Sequence, residues 1–195
     1  MIYEYLYKRK EVNMEIMDIK ESNESIISDE ELMQLYQLKD VIRYNCRKHL
    51  KDESVAEHSY YVALFAMMIC NKHHVSDKTK IDAISKALLH DLPEIETNDI
   101  THDVKEKLHL RPLLKKYEDE YYEKNFKQNA ALMKDDSDNL VNAIVLYADI
   151  LSVRQFCMNE VIMGNKDKDI MHILEDTNKR IEYASKNFKK AMKNA

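Results

Sequence analysis

Along most of the chain, apolar residues recur at alternating steps of three and four, the spacing of one face of an α-helix. The stretch "SDEELMQLYQLKDVIRYN" opens at Ser28 with Glu31 three residues on, and "SVAEHSYYVALFAMMICNKHH" opens at Ser54 with Glu57 three residues on. Both spacings predict a capping box. The second stretch is apolar almost all round from Tyr60 to Cys70, which predicts a buried central helix. "SDKTKIDAISKALLHD" predicts a helix that starts at Ser76 and is halted or bent by Pro93. A short helix is expected over 102–109. One charged helix then covers "RPLLKKYEDEYYEKNFKQNAALM", with Pro112 in its first turn. "DSDNLVNAIVLYADILSVRQFCMNEVIMG" predicts a helix that stops at Gly164, and "DKDIMHILEDTNKRIEYASKNFKKAMK" closes the chain. Residues 1–27 end in the polar run "ESNESIIS" and read as an N-terminal extension or linker. Residues 28–195 read as one helical domain.

Composition sharpens this picture. Strands need turns, and turns use Gly, Pro and Asn. One Gly and two Pro in 195 residues therefore argue for an all-α fold, a compact multi-helix bundle joined by polar connections. A net charge of −5 argues against a nucleic-acid polymer as partner, while leaving room for a local basic pocket. Three scattered cysteines with no CxxC spacing exclude a disulfide scaffold and a cysteine zinc knot. No run reads as long enough to span a bilayer, so no membrane partner is expected. The opening residues carry charge throughout and lack an apolar signal region, which makes the cytoplasm the expected location.

Three predicted helices carry an ionisable residue where the pattern asks for an apolar one. His58 sits in the row Val55, His58, Val62, Phe65, Ile69. Asp91 follows Ile84, Ala87 and Leu88, and Asp149 lies between Val145 and Val153. A buried carboxylate or imidazole in such a row needs a compensating partner. One solution is an Arg or Lys from another helix. The other is a divalent cation held by His58, His90, Asp91 and Asp149. Two imidazoles and two carboxylates suit one transition metal, Mn, Fe, Co, Ni or Zn, better than Ca.

At these residues the chain resembles the HD-domain metal-dependent phosphohydrolases, whose signature is a His, a His-Asp pair and a later Asp. It is most similar to their 5′-deoxynucleotidase branch. The resemblance rests on "RYNCRKHLKDESVAEHS", "LLHDLPEIETNDITHDVK" and "LYADIL", and spans roughly residues 35–160. It implies that His58, His90, Asp91 and Asp149 hold one divalent metal, and that Glu94 and Asp99 are the acid–base pair. It implies further that Arg43 grips phosphate and that Tyr44, at a position where the family has Trp, lies near the sugar. Asn98 stands where the family has Gly. Lys105 is a weaker candidate for a second cation, since most lysines are simply solvated. The expected substrate is the 5′-phosphate of a (deoxy)nucleoside monophosphate, and relatives suggest a homodimer.

Two alternatives stay open. A related branch removes triphosphate from a deoxynucleoside triphosphate, for which Arg43, Lys105, Arg47, Lys48 and Lys51 supply cations. A catalytically silent nucleotide-binding helical module is the other.

Overall fold

The computed structural model describes residues 29–134 and 139–194, with side chains from Leu32 onward. The expected extension over 1–27, the Ser28 cap and the polar start of the late helix at 135–138 lie outside the described residues. The described residues divide between two compact units, with the boundary between Leu35 and Tyr36. Helix α1 (Asp29–Tyr36) spans that boundary in sequence. The second unit holds all the remaining elements.

A 3-10 turn (Gln37–Asp40) leads to a loop and then to α2 (Val55–Lys72). Both halves of the capping box are present at the start of α2: the Ser54 hydroxyl accepts from the Glu57 N–H, and the Glu57 carboxylate accepts from the Ser54 N–H. Helix α3 (Asp77–Leu89) opens on Ser76, whose hydroxyl accepts from the Thr79 N–H. Pro93 precedes the single turn α4 (Glu94–Thr97), and α5 (His102–Lys107) is also short. Helix α6 (Arg111–Asn125) has Pro at its second position, where no N–H is required. A turn, α7 (Ala130–Met133), connects to the long α8 (Leu140–Ile162) and α9 (Lys168–Asn194). Gly164, at φ +99°, makes the reversal after α8 that a Cβ would strain. Among the described residues there is no strand, only an isolated bridge between Ile42 and Ser54.

The structure departs from two expectations. The charged helix expected to run through "NFKQNAALM" stops at Asn125. Phe126 leaves helical geometry to lay its ring against Tyr121, and α7 is a separate turn. The central helix is not buried all round either: Tyr60, Tyr61 and Met68 are exposed on its outer face.

Helices α2, α3 and α8 pack on one another, and α9 lies along α8. Their shared core is Val62, Ala66, Cys70, Ala83, Ala87, Ile144 and Ala148, with Phe188 from α9. Small residues at the crossing allow close helix approach. Contrary to the sequence-based expectation, α8 is long and apolar enough to cross a membrane by length and composition alone. That apolar surface is mostly buried inside this core. The same three helices therefore bring together the start of α2, the end of α3 and the middle of α8, where His58, His90–Asp91 and Asp149 sit.

Candidate metal centre

His58 is fully buried on α2. Its Nε2 lies 3.1 Å from Asp149 Oδ1 on α8 and 3.7 Å from Asp91 Oδ2, just beyond α3. His90 Nε2 lies 3.2 Å from the same Asp91 oxygen. The two imidazole rings are 5.5 Å apart, and ligand atoms of His58, His90 and Asp149 all fall within 4.8 Å of one another. Four residues from three segments of the chain thus meet at one point.

The donor set fits a cation. Both Nε2 atoms are buried and have no aligned hydrogen-bond partner, although carboxylates stand close by. Such orphaned acceptors are rare in native proteins and call for a ligand. The far side of each ring supports this. His90 Nδ1–H donates to the Ala87 carbonyl at 2.8 Å, which fixes the tautomer with its Nε2 lone pair free. His58 Nδ1 lies 3.1 Å from Ser152 Oγ, one turn along α8 from Asp149. With His58 Nε2 given to a cation, Nδ1 carries the proton and Ser152 accepts it.

Arg43 complicates that arrangement in an informative way. Its Nη1 is 2.7 Å from His58 Nδ1 and 2.8 Å from Glu53 Oε2. A guanidinium only donates. It cannot hydrogen-bond to an Nδ1 that already carries a proton, so a ligating His58 leaves this donor to Glu53.

Electrostatics separates the two carboxylates beyond α3. Burial raises the Asp91 carboxyl, but the His90 charge and hydrogen bond outweigh it and hold Asp91 well below the usual range. Glu94 goes the other way. Burial, reinforced by the charges of Asp91 and Asp99, pushes it well above its ordinary value despite Lys105. Lys105 Nζ is 3.5 Å from Glu94 Oε1, while Glu94 Oε2 is buried without a partner. Glu94, Lys105, Asn98 and Tyr117 line a narrow cleft that reaches His90 and Asp91. A larger cavity of about 350 Å³ contains none of the four metal-ligand candidates and touches their surroundings through Ser152 and Glu53. Three of its carboxylates already have partners: Glu57 in the α2 cap, Glu53 with Arg43, and Glu160 with the Leu50 N–H. The chemistry belongs to the smaller space.

Asp99 Oδ2 accepts the Tyr44 N–H at 2.8 Å. Tyr44 has φ +56°, an uncommon conformation for a bulky residue, and this bond offsets part of its strain. Asn98, at φ +57°, also occupies the left-handed region, where the family's Gly would sit without cost. The Tyr44 ring stacks on Phe156 with centroids 5.2 Å apart and is nearly buried. Arg43 also lies over this ring, 5.1 Å from its centroid.

Sequence reasoning missed Ser152 and Glu53. Ser152 could have been found as the polar residue three positions after Asp149, on the same helix face. Glu53 carries no periodic signal, because it sits in a loop.

The centre also predicts how metal uptake responds to pH. Burial lowers the His90 imidazole, but the charge and hydrogen bond of Asp91 prevail and raise it to about 9. His90 must lose its proton to ligate. Metal affinity is therefore expected to rise steadily between pH 6 and 9, with proton release on binding. Cobalt titrations in two buffers of different ionisation enthalpy check this; pH-independent affinity would contradict the ligand assignment of His90.

A family profile described as 5′-deoxynucleotidase YfbR-like matches residues 32–194. Among solved structures, an HD-domain phosphohydrolase from Listeria innocua aligns with TM-score 0.65 and 20% identity, over 84% of this chain and 85% of that one. A conserved hypothetical protein from Pyrococcus furiosus aligns with TM-score 0.65 and 22% identity, over 85% of this chain and 99% of that one. The cyanophage S-2L HD phosphohydrolase, bound to dA and one catalytic zinc ion, aligns with TM-score 0.62 and 16% identity, over 87% and 95%. At these identities the likeness is one of fold. No curated protein matches the chain significantly.

Proposed function

We propose, from the premise that the chain belongs to the YfbR-like 5′-deoxynucleotidase family and is a metal-dependent nucleotide phosphohydrolase, that it removes the 5′-phosphate of deoxynucleoside monophosphates. The observation that carries this reading is the meeting of two orphaned Nε2 atoms with two carboxylates beside a buried arginine and a carboxyl whose proton affinity burial raises. His58, His90, Asp91 and Asp149 hold the metal. Its chemistry, when bound, is charge neutralisation on phosphate and activation of water.

The remaining steps fall to the chain's own side chains. Arg43 binds phosphate oxygens through the donors that Glu53 leaves free, a geometry suited to guanidinium. Glu94 keeps a proton at Oε2 and delivers it to the departing 5′ oxygen. Asp99 orients the Tyr44 backbone beside the sugar and has a second oxygen left for a hydroxyl. Lys105 tethers Glu94 and adds positive charge at the mouth of the cleft.

The cations argue for a monophosphate over a triphosphate. Arg47 is held by Asp103 at 2.9 Å and Asp169 at 2.7 Å, and Lys51 lines the larger cavity. Neither is arranged to meet a longer anion. The cyanophage protein's bound dA is consistent with a deoxynucleoside at this site.

The test is a panel of deoxy- and ribonucleoside mono- and triphosphates with the cobalt- or manganese-loaded protein. Inorganic phosphate released from deoxynucleoside monophosphates is the expected product. Tripolyphosphate from triphosphates would support the other branch, and no turnover with metal bound would support a silent module.

A further inference from the structure

Arg43 stands at the base of a loop whose two ends are pinned together. The Ile42–Ser54 bridge closes it, Val55 N–H donates to the Val41 carbonyl at 2.8 Å, and Arg43 N–H donates to the Glu53 carbonyl at 2.9 Å. The far end is clasped by the fully buried Glu160, which accepts from the Leu50 N–H at 2.7 Å, the Lys51 N–H at 3.0 Å and the Asn165 side chain at 2.7 Å. The loop is therefore a fixed platform, and the side chain it aims at Arg43 is that of Glu53.

The Arg43–Glu53 pair is almost wholly enclosed, with side-chain exposures of 8% and 12%. Nη1 carries two N–H groups and also lies 2.7 Å from His58 Nδ1, the contact left to it once Glu53 is removed. A guanidinium bonded there forces the proton of a neutral His58 onto Nε2, the atom needed as ligand. A bare guanidinium would also repel a cation bound nearby. One carboxylate eases both conflicts: it holds one of the two N–H groups of Nη1 and supplies a compensating charge.

We propose that Glu53 is a positioning residue that acts through Arg43, anchoring one N–H of Nη1 and balancing its charge so that the remaining guanidinium donors are held for the substrate phosphate. This rests on the reading of Arg43 as the phosphate-binding residue. It adds a residue that neither the helical pattern nor the family signature supplies.

The experiment measures binding of inorganic phosphate to the cobalt-loaded full chain by calorimetry, beside KM and kcat for a deoxynucleoside monophosphate. Four proteins are compared: wild type, Glu53→Gln, Arg43→Ala and the double variant. Glu53→Gln is expected to weaken phosphate binding and raise KM about tenfold each, with kcat changed less than about threefold, the pattern of lost uniform binding. In the Arg43→Ala background the same change is expected to do nothing further, because residues acting through one another are not additive. Should Glu53→Gln fail to fold, as shown by its melting curve, Glu53→Asp withdraws the carboxylate by one methylene and serves in the same cycle. Equal phosphate affinity in wild type and the Glu53 variant, additive effects in the double variant, or no phosphate binding by the loaded wild type would each overturn the proposal. Phosphate binding that depends on Glu53 in a protein that hydrolyses no deoxynucleotide would sink the functional reading alone.

Discussion

Changing Asp149 to asparagine is expected to lower turnover about a thousandfold or more and to leave the purified protein depleted of metal. The substitution preserves shape and removes one negative charge. It also introduces an amide that can donate. Asp149 Oδ1 is 3.1 Å from His58 Nε2, so the new amide N–H has the imidazole lone pair directly in reach. That hydrogen bond would occupy the ligand atom a cation requires. Two ligands are lost by one substitution, which is why this change should exceed the effect of altering Ser152, whose contact lies on the other side of the ring. Elemental analysis and phosphate release together provide the check. A fully metallated variant with ordinary turnover would remove Asp149 from the centre.

Glu94→Gln is expected to lower kcat about 10²- to 10⁴-fold, the usual worth of a positioned general acid or base. Its structural consequence has the opposite sign. Burial and the charges of Asp91 and Asp99 raise the Glu94 carboxyl in the folded protein above its ordinary 4.5. The folded state then holds this proton more tightly than the unfolded state. Stability from that proton is fully present below about pH 4.5, and is lost as pH rises through the higher folded value. Metal-free wild type should therefore lose stability on going from pH 5 to pH 8 relative to Glu94→Gln. The glutamine variant should melt higher than wild type at pH 8 and show a smaller pH dependence. Metal-free protein is the right comparison, since a bound cation favours the charged carboxyl. Equal pH dependence in the two proteins would mean that Glu94 is ordinary in its environment, and the general-acid role would lose its support.

Both predictions concern residues visible in the chain as breaks in apolar rows or as near neighbours of such breaks. His58 and Asp149 interrupt helical stripes that are otherwise used for packing, and a polar group in such a place demands a partner. The starts of α2 and α3 were equally legible, because a cap is formed among residues within one turn. Local signals failed where a distant contact outweighed them. Phe126 ended a helix by packing on the core. The outer face of α2, apolar in composition, stayed exposed because only one side of that helix meets α3 and α8. Glu53 gave no signal, since its partner is ten positions away across a closed loop.

The order of residues by itself determined the helical class, most helix starts and the four side chains fit to bind a cation. Those properties depend on interactions within a few residues or on the chemical type of a side chain. Tertiary structure alone decided that His58, His90, Asp91 and Asp149 share one point, that burial raises the Glu94 carboxyl, and that Arg43 is held by Glu53. Each of these depends on the distance between groups far apart in the chain and on how much water the packing excludes, and neither quantity is written in a local pattern.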